Sequence, residues 1–306
     1  MSKISFVIPC YRSEKTVGAV VAEIEKTMGE REYEIILVND CSPDGTIGTI
    51  KTLAEKDGHI IGVDLARNFG QHAALMAGFR QVTGDVVVCL DDDGQTPAGE
   101  VTKLLEKIDE GYDAVYASYE DKKHSSFRNF GSKLNTKMTE IMLGKPKELY
   151  ISSYFAVKRF IMDEMLRYEG CYPYVIGLVL RSTKNICNVP VKHREREAGS
   201  SGYTLTKLIS LWMNGFTSFS VKPLRLANYF GCISALGGFI YMIVIVIRHF
   251  ALGTAPLGWS STTALLLLIG GIILVVLGMM GEYIGRIYMC INSTPQYLVR
   301  EIYRKE

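Results

Sequence analysis

Asp91, Asp92 and Asp93 follow the apolar run 86–90, and Gly94 and Gln95 follow them, so three carboxylates leave the end of what reads as a buried strand. Like charges set side by side are costly unless a cation offsets them. Asp91, Asp93 and Gln95 fall at alternate positions, and alternate side chains of an extended segment share one face. Two carboxylates and an amide oxygen on one side suit a hard divalent ion that keeps water or phosphate as its other ligands. A solvated acidic turn is the plainer alternative, and the surrounding chain decides between them.

Such a cluster needs a rigid frame. Strand-like runs at 4–8, 35–38, 60–64, 86–90 and 114–116 alternate with amphipathic, helix-length segments at 14–28, 46–56, 71–81 and 99–110. Strand and helix in alternation predict a mainly parallel sheet covered by helices on both faces. Ligands of such sheets lie beyond the carboxyl ends of the strands. The polar punctuation falls there: Pro9, Tyr11 and Arg12 after the first strand, Asn39 and Asp40 after the second, Arg67 and Asn68 after the third, the aspartates after the fourth. Loops are polar in general, but carboxylates at consecutive strand ends are not explained by that alone. No GxGxxG follows any strand, which argues against a dinucleotide site. Further on, 120–126 reads as a loop, 127–143 as a helix bearing Arg128 and Lys133, and 154–157 and 186–191 as strands.

The C-terminal third differs in kind. Residues 229–247 and 262–280 are apolar stretches of about the 20 residues a helix needs to cross a bilayer. Gly237, Gly238, Gly270 and Gly271 within them suit close helix packing in lipid. Before them, 204–219 carries Leu205, Leu208, Ile209, Trp212, Met213 and Phe216 at helical spacing, as expected of a helix lying on a membrane. Lys222 and Arg225 precede the first stretch, Arg286, Arg300, Arg304 and Lys305 follow the second, and the linker 249–261 has neither Lys nor Arg. Both termini are therefore expected in the cytoplasm, with no cleaved signal peptide. The net charge of +2 argues against a nucleic-acid partner. Seven scattered cysteines without a CxxC pair fit a reducing compartment, with Cys10, Cys41 and Cys89 as small buried hydrophobes.

Six segments occur in order: VIPCY at 7–11, VNDCSPDGT at 38–46, RNFG at 67–70, LDDDGQTP at 90–97, REAGSSGY at 196–203 and GEYIGRIY at 281–288. Together they resemble the polyprenyl-phosphate glycosyltransferases of glycosyltransferase family 2, over nearly the whole chain. The resemblance implies a GT-A type α/β domain over 1–203, juxtamembrane amphipathic helices over 204–228, a two-helix transmembrane hairpin over 229–284 and a cytoplasmic tail over 285–306. It implies inverting transfer of one sugar from a nucleotide sugar, UDP-glucose or a related UDP-sugar, to undecaprenyl phosphate at the cytoplasmic membrane face. Pro9 and Tyr11 would frame the base pocket and Asp40 would accept a hydrogen bond from the base, with Arg67, Asn68 and Asp92 completing the donor site. Asp91 and Asp93 would be the DxD pair. Asp93 and Gln95 would hold Mg2+ or Mn2+, with Asp91 sharing the metal or meeting the ribose. Arg128 would face the lipid phosphate, and Arg196 and Ser201 would close over the phosphates. A homo-oligomer, for instance a tetramer, packed through the membrane helices is also implied.

One stretch departs from the family pattern. Where relatives carry an acid and an arginine, this chain reads Tyr150, Ile151, Ser152, Ser153, Tyr154, Phe155 and Ala156, so contacts made there in relatives do not transfer. Two other readings compete. A processive polysaccharide synthase would carry a QxxRW segment, yet the two tryptophans are Trp212 and Trp259. A non-catalytic membrane protein would have no need of clustered carboxylates.

Overall fold

In the computed structural model of the chain, residues 2–94, 96–119, 140, 145–192, 258–292 and 294–305 are described, with separate positions between 224 and 251. The chain divides into two compact units, Met1–Gly215 with Thr294–Glu306, and Phe216–Ser293.

The larger unit is built on an eight-stranded sheet in the order β7-β5-β6-β4-β1-β2-β3-β8. Its strands are β1 Ile4–Cys10, β2 Tyr33–Asn39, β3 Ile60–Leu65, β4 Val86–Cys89, β5 Ala114–Tyr119, β6 Phe155–Lys158, β7 Ile186–Val191 and β8 Val299–Tyr303. The four central strands are parallel, β6 enters antiparallel between β4 and β5, and β8 closes the far edge antiparallel to β3. The expectation of a mainly parallel sheet holds. Its centre is apolar on both faces: Phe6, Val7, Ile8, Ile35, Ile36, Leu37 and Val38 are all buried, as strands covered by helices on both sides require.

On one face, α1 Val17–Met28, α2 Thr46–Lys56 and α4 Val101–Asp109 present apolar stripes to the sheet. In α4 the buried residues are Val101, Leu104, Leu105 and Ile108, the spacing of a single helical face. The other face carries α3 Gln71–Phe79, with α5 Arg159–Leu166 and α6 Val175–Ser182 packed against it. The amphipathic helix expected at 71–81 is not what forms there. Ala73 to Phe79 are all buried, because α3 lies between the sheet and the two outer helices. Gly78 permits the close approach, since a Cβ there would sit 2.4 Å from Val7 Cγ1 and 3.0 Å from Val38 Cγ2.

No strand was expected near the C-terminus, where 285–306 reads as a tail. Val299–Tyr303 pairs with β3, and Arg300 clamps it there: its guanidinium donates to Asp64 Oδ2 (3.2 Å) and to the Ala66 carbonyl (3.0 Å). Cys10 and Cys89 are buried small hydrophobes as expected, whereas Cys41 is half-buried with a positive φ of 51°.

In the second unit, α7 Trp259–Ile291 runs for 33 residues, about 50 Å at the α-helical rise. Its stretch Ile269–Ile291 has a mean hydropathy of 1.5 and none of it is buried; among the described residues it is the one helix long and apolar enough to cross a membrane. The expected span at 262–280 lies within α7, which continues through the GEYIGRIY segment. In the other expected span, 229–247, the described positions are helical and their large apolar side chains, among them Ile233, Leu236 and Ile247, are exposed.

Candidate active site

The carboxyl ends of β1 to β4 converge as expected, and hydrogen bonds between successive loops lock the rim. After β1 and β2 the backbone turns sharply enough to put two non-glycine residues, Arg12 (φ 60°) and Cys41 (φ 51°), in the left-handed region. Such strain persists where surrounding contacts over-determine it. Here Arg12 N–H donates to Ser42 Oγ (2.8 Å) and Ser13 N–H to Thr46 Oγ1 (2.9 Å), tying the first loop to the second. Asp44 caps this arrangement by accepting from Ser42, from the Thr46 hydroxyl and from Thr46 N–H. Partial burial works against its charge, but these donors outweigh it and hold its carboxyl below the ordinary range.

Asp40 joins the second loop to the third. Its Oδ1 and Oδ2 accept from the backbone N–H groups of Phe69 (2.7 Å) and Gly70 (2.8 Å), and Asn68 Nδ2 donates to its carbonyl (3.1 Å). The residue is 4% exposed, and burial raises its pKa against the pull of those two amides. Arg67 stacks over the Phe69 ring at 4.6 Å. Pro9 lies within β1, and Tyr11 beyond its end is 46% exposed with the Arg12 guanidinium 5.6 Å from its ring centroid. An exposed aromatic face over polar loops is a platform on which a planar base can stack.

The chain leaves β4 at Cys89 and bends at Asp92 to Gly94, with Gly94 at φ 72°, so the aspartates line a tight turn and not an extended segment. Asp92 is drawn inward, where Oδ2 accepts from Tyr11 N–H (3.0 Å) and from the Ser13 hydroxyl. Burial pushes its pKa up to about 6; Ser13 and Tyr11 oppose that, and the negative charges of Asp91 and Asp93 add to it. Asp91 Oδ1 accepts from Gln71 Nε2 (3.0 Å), and Oδ2 accepts from the Ser153 hydroxyl. Residues 69–71 thus touch both acidic positions: Phe69 and Gly70 hold Asp40, and Gln71 holds Asp91.

The unusual stretch 150–156 lies against this rim. Ser152 Oγ is 2.8 Å from the carbonyls of Ala117 and Tyr154, so it braces backbone, whereas the neighbouring Ser153 reaches Asp91. Asn188 holds the stretch in place, accepting from Tyr150 N–H (2.8 Å) and donating to its carbonyl (2.7 Å). Tyr150 packs edge-on to Tyr119 at 6.2 Å, and burial pushes the Tyr119 phenol up to about 12, with a Thr96 hydrogen bond opposing and Asp91 among the charges adding to it.

Asp40, Asn68, Asp91, Asp92, Asp93 and Tyr11 therefore share one rim, while Gln95, Arg128, Arg196 and Ser201 lie outside the described residues. Gln71 and Tyr119 were not read from the sequence, although Gln71 directly follows the RNFG segment; Ser153, expected to supply only a neutral hydrogen bond, supplies it to Asp91. Among the described residues no three His, Cys, Asp or Glu side chains group as a metal site. Asp91 and Asp93 alone fit a magnesium-like ion only if phosphate and water fill its shell, which is how such ions are usually held.

Residues 5–166 match Glycosyl transferase family 2, and residues 222–287 match the GtrB C-terminal hairpin. The chain belongs to glycosyl transferase family 2. Within this family it is 35% identical over its full length, and over 95% of the relative's, to the undecaprenyl-phosphate 4-deoxy-4-formamido-L-arabinose transferase of Klebsiella pneumoniae (strain 342). The corresponding protein of Enterobacter sp. (strain 638) is also 35% identical, over 98% of this chain and 93% of that one. Among solved structures, glucosyl-3-phosphoglycerate synthase of Mycobacterium tuberculosis in complex with Mn2+ and UDP-glucose superposes with a TM-score of 0.54 at 18% identity, covering 71% of this chain and 77% of that one. The donor domain of this family 2 glycosyltransferase thus has the GT-A type α/β fold that the motif order implied.

Proposed function

We propose that the protein transfers a single sugar from a UDP-sugar to undecaprenyl phosphate at the cytoplasmic face of the membrane, inverting the anomeric centre. The observation that carries this reading is the rim itself: an exposed Tyr11 ring, the buried Asp40 anchor and the Asp91–Asp93 turn within one set of interlocked loops. The named relatives act on undecaprenyl phosphate, and the solved structure of like fold was obtained with Mn2+ and UDP-glucose. Tyr11 and Pro9 would flank the base, with Asp40, Arg67 and Asn68 shaping the pocket floor through the loop they fix.

Asp91 and Asp93, with Gln95, would hold Mg2+ or Mn2+. Bound there, the ion would neutralise the diphosphate as it departs. The acceptor is a phosphate monoester whose second pKa is about 6 by analogy with phosphoserine, so at neutral pH it is already an oxyanion. The protein then has no need of a strong base. Its work is to align two anionic partners and exclude competing water, with Arg128, Arg196 and Ser201 assigned to the phosphates.

Strand order supports the two-span topology. Residues before and after the second unit lie in one sheet, which favours an even number of membrane crossings between Gly215 and Thr294. With α7 as one crossing, 229–247 is the segment with the composition for a second. Basic residues outside both spans support a cytoplasmic sheet. Juxtamembrane helices at 204–228 and a homo-oligomer through the spans complete the proposal.

The test is transfer of radiolabelled sugar from a panel of UDP- and GDP-sugars into butanol-extractable lipid by purified protein with undecaprenyl phosphate. Label from one donor that vanishes with EDTA establishes the reaction and names the sugar. Absence of both label and nucleotide binding overturns it in favour of a non-catalytic role.

A further inference from the structure

Asp91 differs from the other rim carboxylates in how it is held. Asp40 is gripped by backbone amides and Asp92 by a backbone amide and Ser13, both nearby strand-end contacts. Asp91 is gripped by two side chains from different elements: Gln71 opens α3 and Ser153 precedes β6. Both donors are neutral. An amide and a hydroxyl orient a carboxylate without themselves carrying charge.

We propose that Ser153 and Gln71 are positioning residues for the divalent ion of the donor complex, fixing the Asp91 carboxylate by one hydrogen bond on each oxygen. A carboxylate has about four lone-pair sites in one plane. One donor on each oxygen sets that plane and so sets the direction in which the carboxylate can meet a cation. The carboxylate cannot rotate without breaking a bond to Gln71 or Ser153. This inference rests on the reading of Asp91 as part of the metal site.

Ser152 supplies an internal control, because among the described residues its hydroxyl meets only backbone carbonyls, those of Ala117 and Tyr154. The experiment is an EPR titration of Mn2+ into the full-length protein in detergent with UDP present, for wild type and variants whose melting curves are recorded in parallel. Ser153→Ala is expected to weaken Mn2+ binding by about 10-fold, the lower end for loss of a group that orients a ligand. Gln71→Ala should act in the same direction, Ser153→Thr should restore affinity, and Ser152→Ala should bind Mn2+ like wild type. Wild-type affinity in Ser153→Ala, or equal weakening in Ser152→Ala and Ser153→Ala, overturns the inference and leaves the metal site standing. No Mn2+ binding by wild type overturns both.

Discussion

Two acidic clusters sit at opposite ends of the same parallel strands and are treated in opposite ways. At the amino ends, Glu34 is 5% exposed yet fully answered: Ser5 and Thr83 hydroxyls and the Thr83 amide each donate at 2.6 Å, and the Lys3 ammonium lies 2.9 Å away. Burial alone would raise its pKa, but those donors win and hold it down at about 2. At the carboxyl ends, Asp92 receives a hydroxyl and one amide, has no ion pair among the described residues, and stands between two further aspartates. One end spends its polar groups on holding the domain together. The other gathers three aspartates at one turn and holds one of them above the ordinary carboxylate range, the pattern of a functional site.

The sharpest way to break this comparison is to exchange the phenotypes of the two ends. Asp93→Asn should lower transfer by at least about 100-fold, the scale of losing a group that stabilises developing charge, while leaving the melting temperature unchanged or raised. A folded Asp93→Asn protein with full activity in the lipid-transfer assay would show that the charge at this rim serves something else. Glu34→Gln should do the reverse. Removing one partner from a buried, cation-paired network is expected to cost about 3 kcal/mol in denaturant unfolding, with specific activity per folded molecule kept.

Acidity should separate the ends by sign. Glu34 has a depressed pKa in the folded protein, so its contribution is complete above about 4.5 and disappears as pH falls toward 2. Asp92 has a raised one, so the folded state binds its proton more readily, and stability rises as pH falls through about 6 toward 4. Thermal unfolding in EDTA should therefore be highest between roughly pH 4 and 5. Asp92→Asn should remove the gain on the acid side of neutrality without touching the loss below pH 4. The smallest effect is expected from Ser13→Ala, which leaves Asp92 one donor short: about 1 kcal/mol, read in the same unfolding experiment, and a further rise in the pH at which Asp92 titrates.

The sequence makes some of this plain and hides the rest for physical reasons. The alternation of apolar runs with helix-length segments marks β1 to β7 and all four helices α1 to α4, because each element's burial is written in its own residues. What the reading of α3 misses is its burial on every side, which leaves no polar face where one was expected. Strand β8 is hidden for a different cause: VREIY is short and polar, it lies at an exposed edge, and its partner is β3, more than two hundred residues away. The rim carboxylates stand out because charge at a strand end is conspicuous. Gln71 does not, and the partner of Ser153 is equally hidden, since the two meet Asp91 from 20 and 62 residues away and no local pattern encodes such a contact. The stretch 150–156 looks like a loss when judged by missing charges, and the fold shows that one of its serines reaches the acidic turn.

Strand β8 also bears on how the protein is made. The ribosome releases β3 long before β8, and everything in between includes the apolar helix α7. Until β8 has followed, the outer edge of the sheet stays open, with β3 unpaired on that side and Asp64 lacking its arginine. Closure of the sheet is therefore a late event in synthesis, and a chain interrupted before β8 would expose a bare β-edge that invites pairing with another chain.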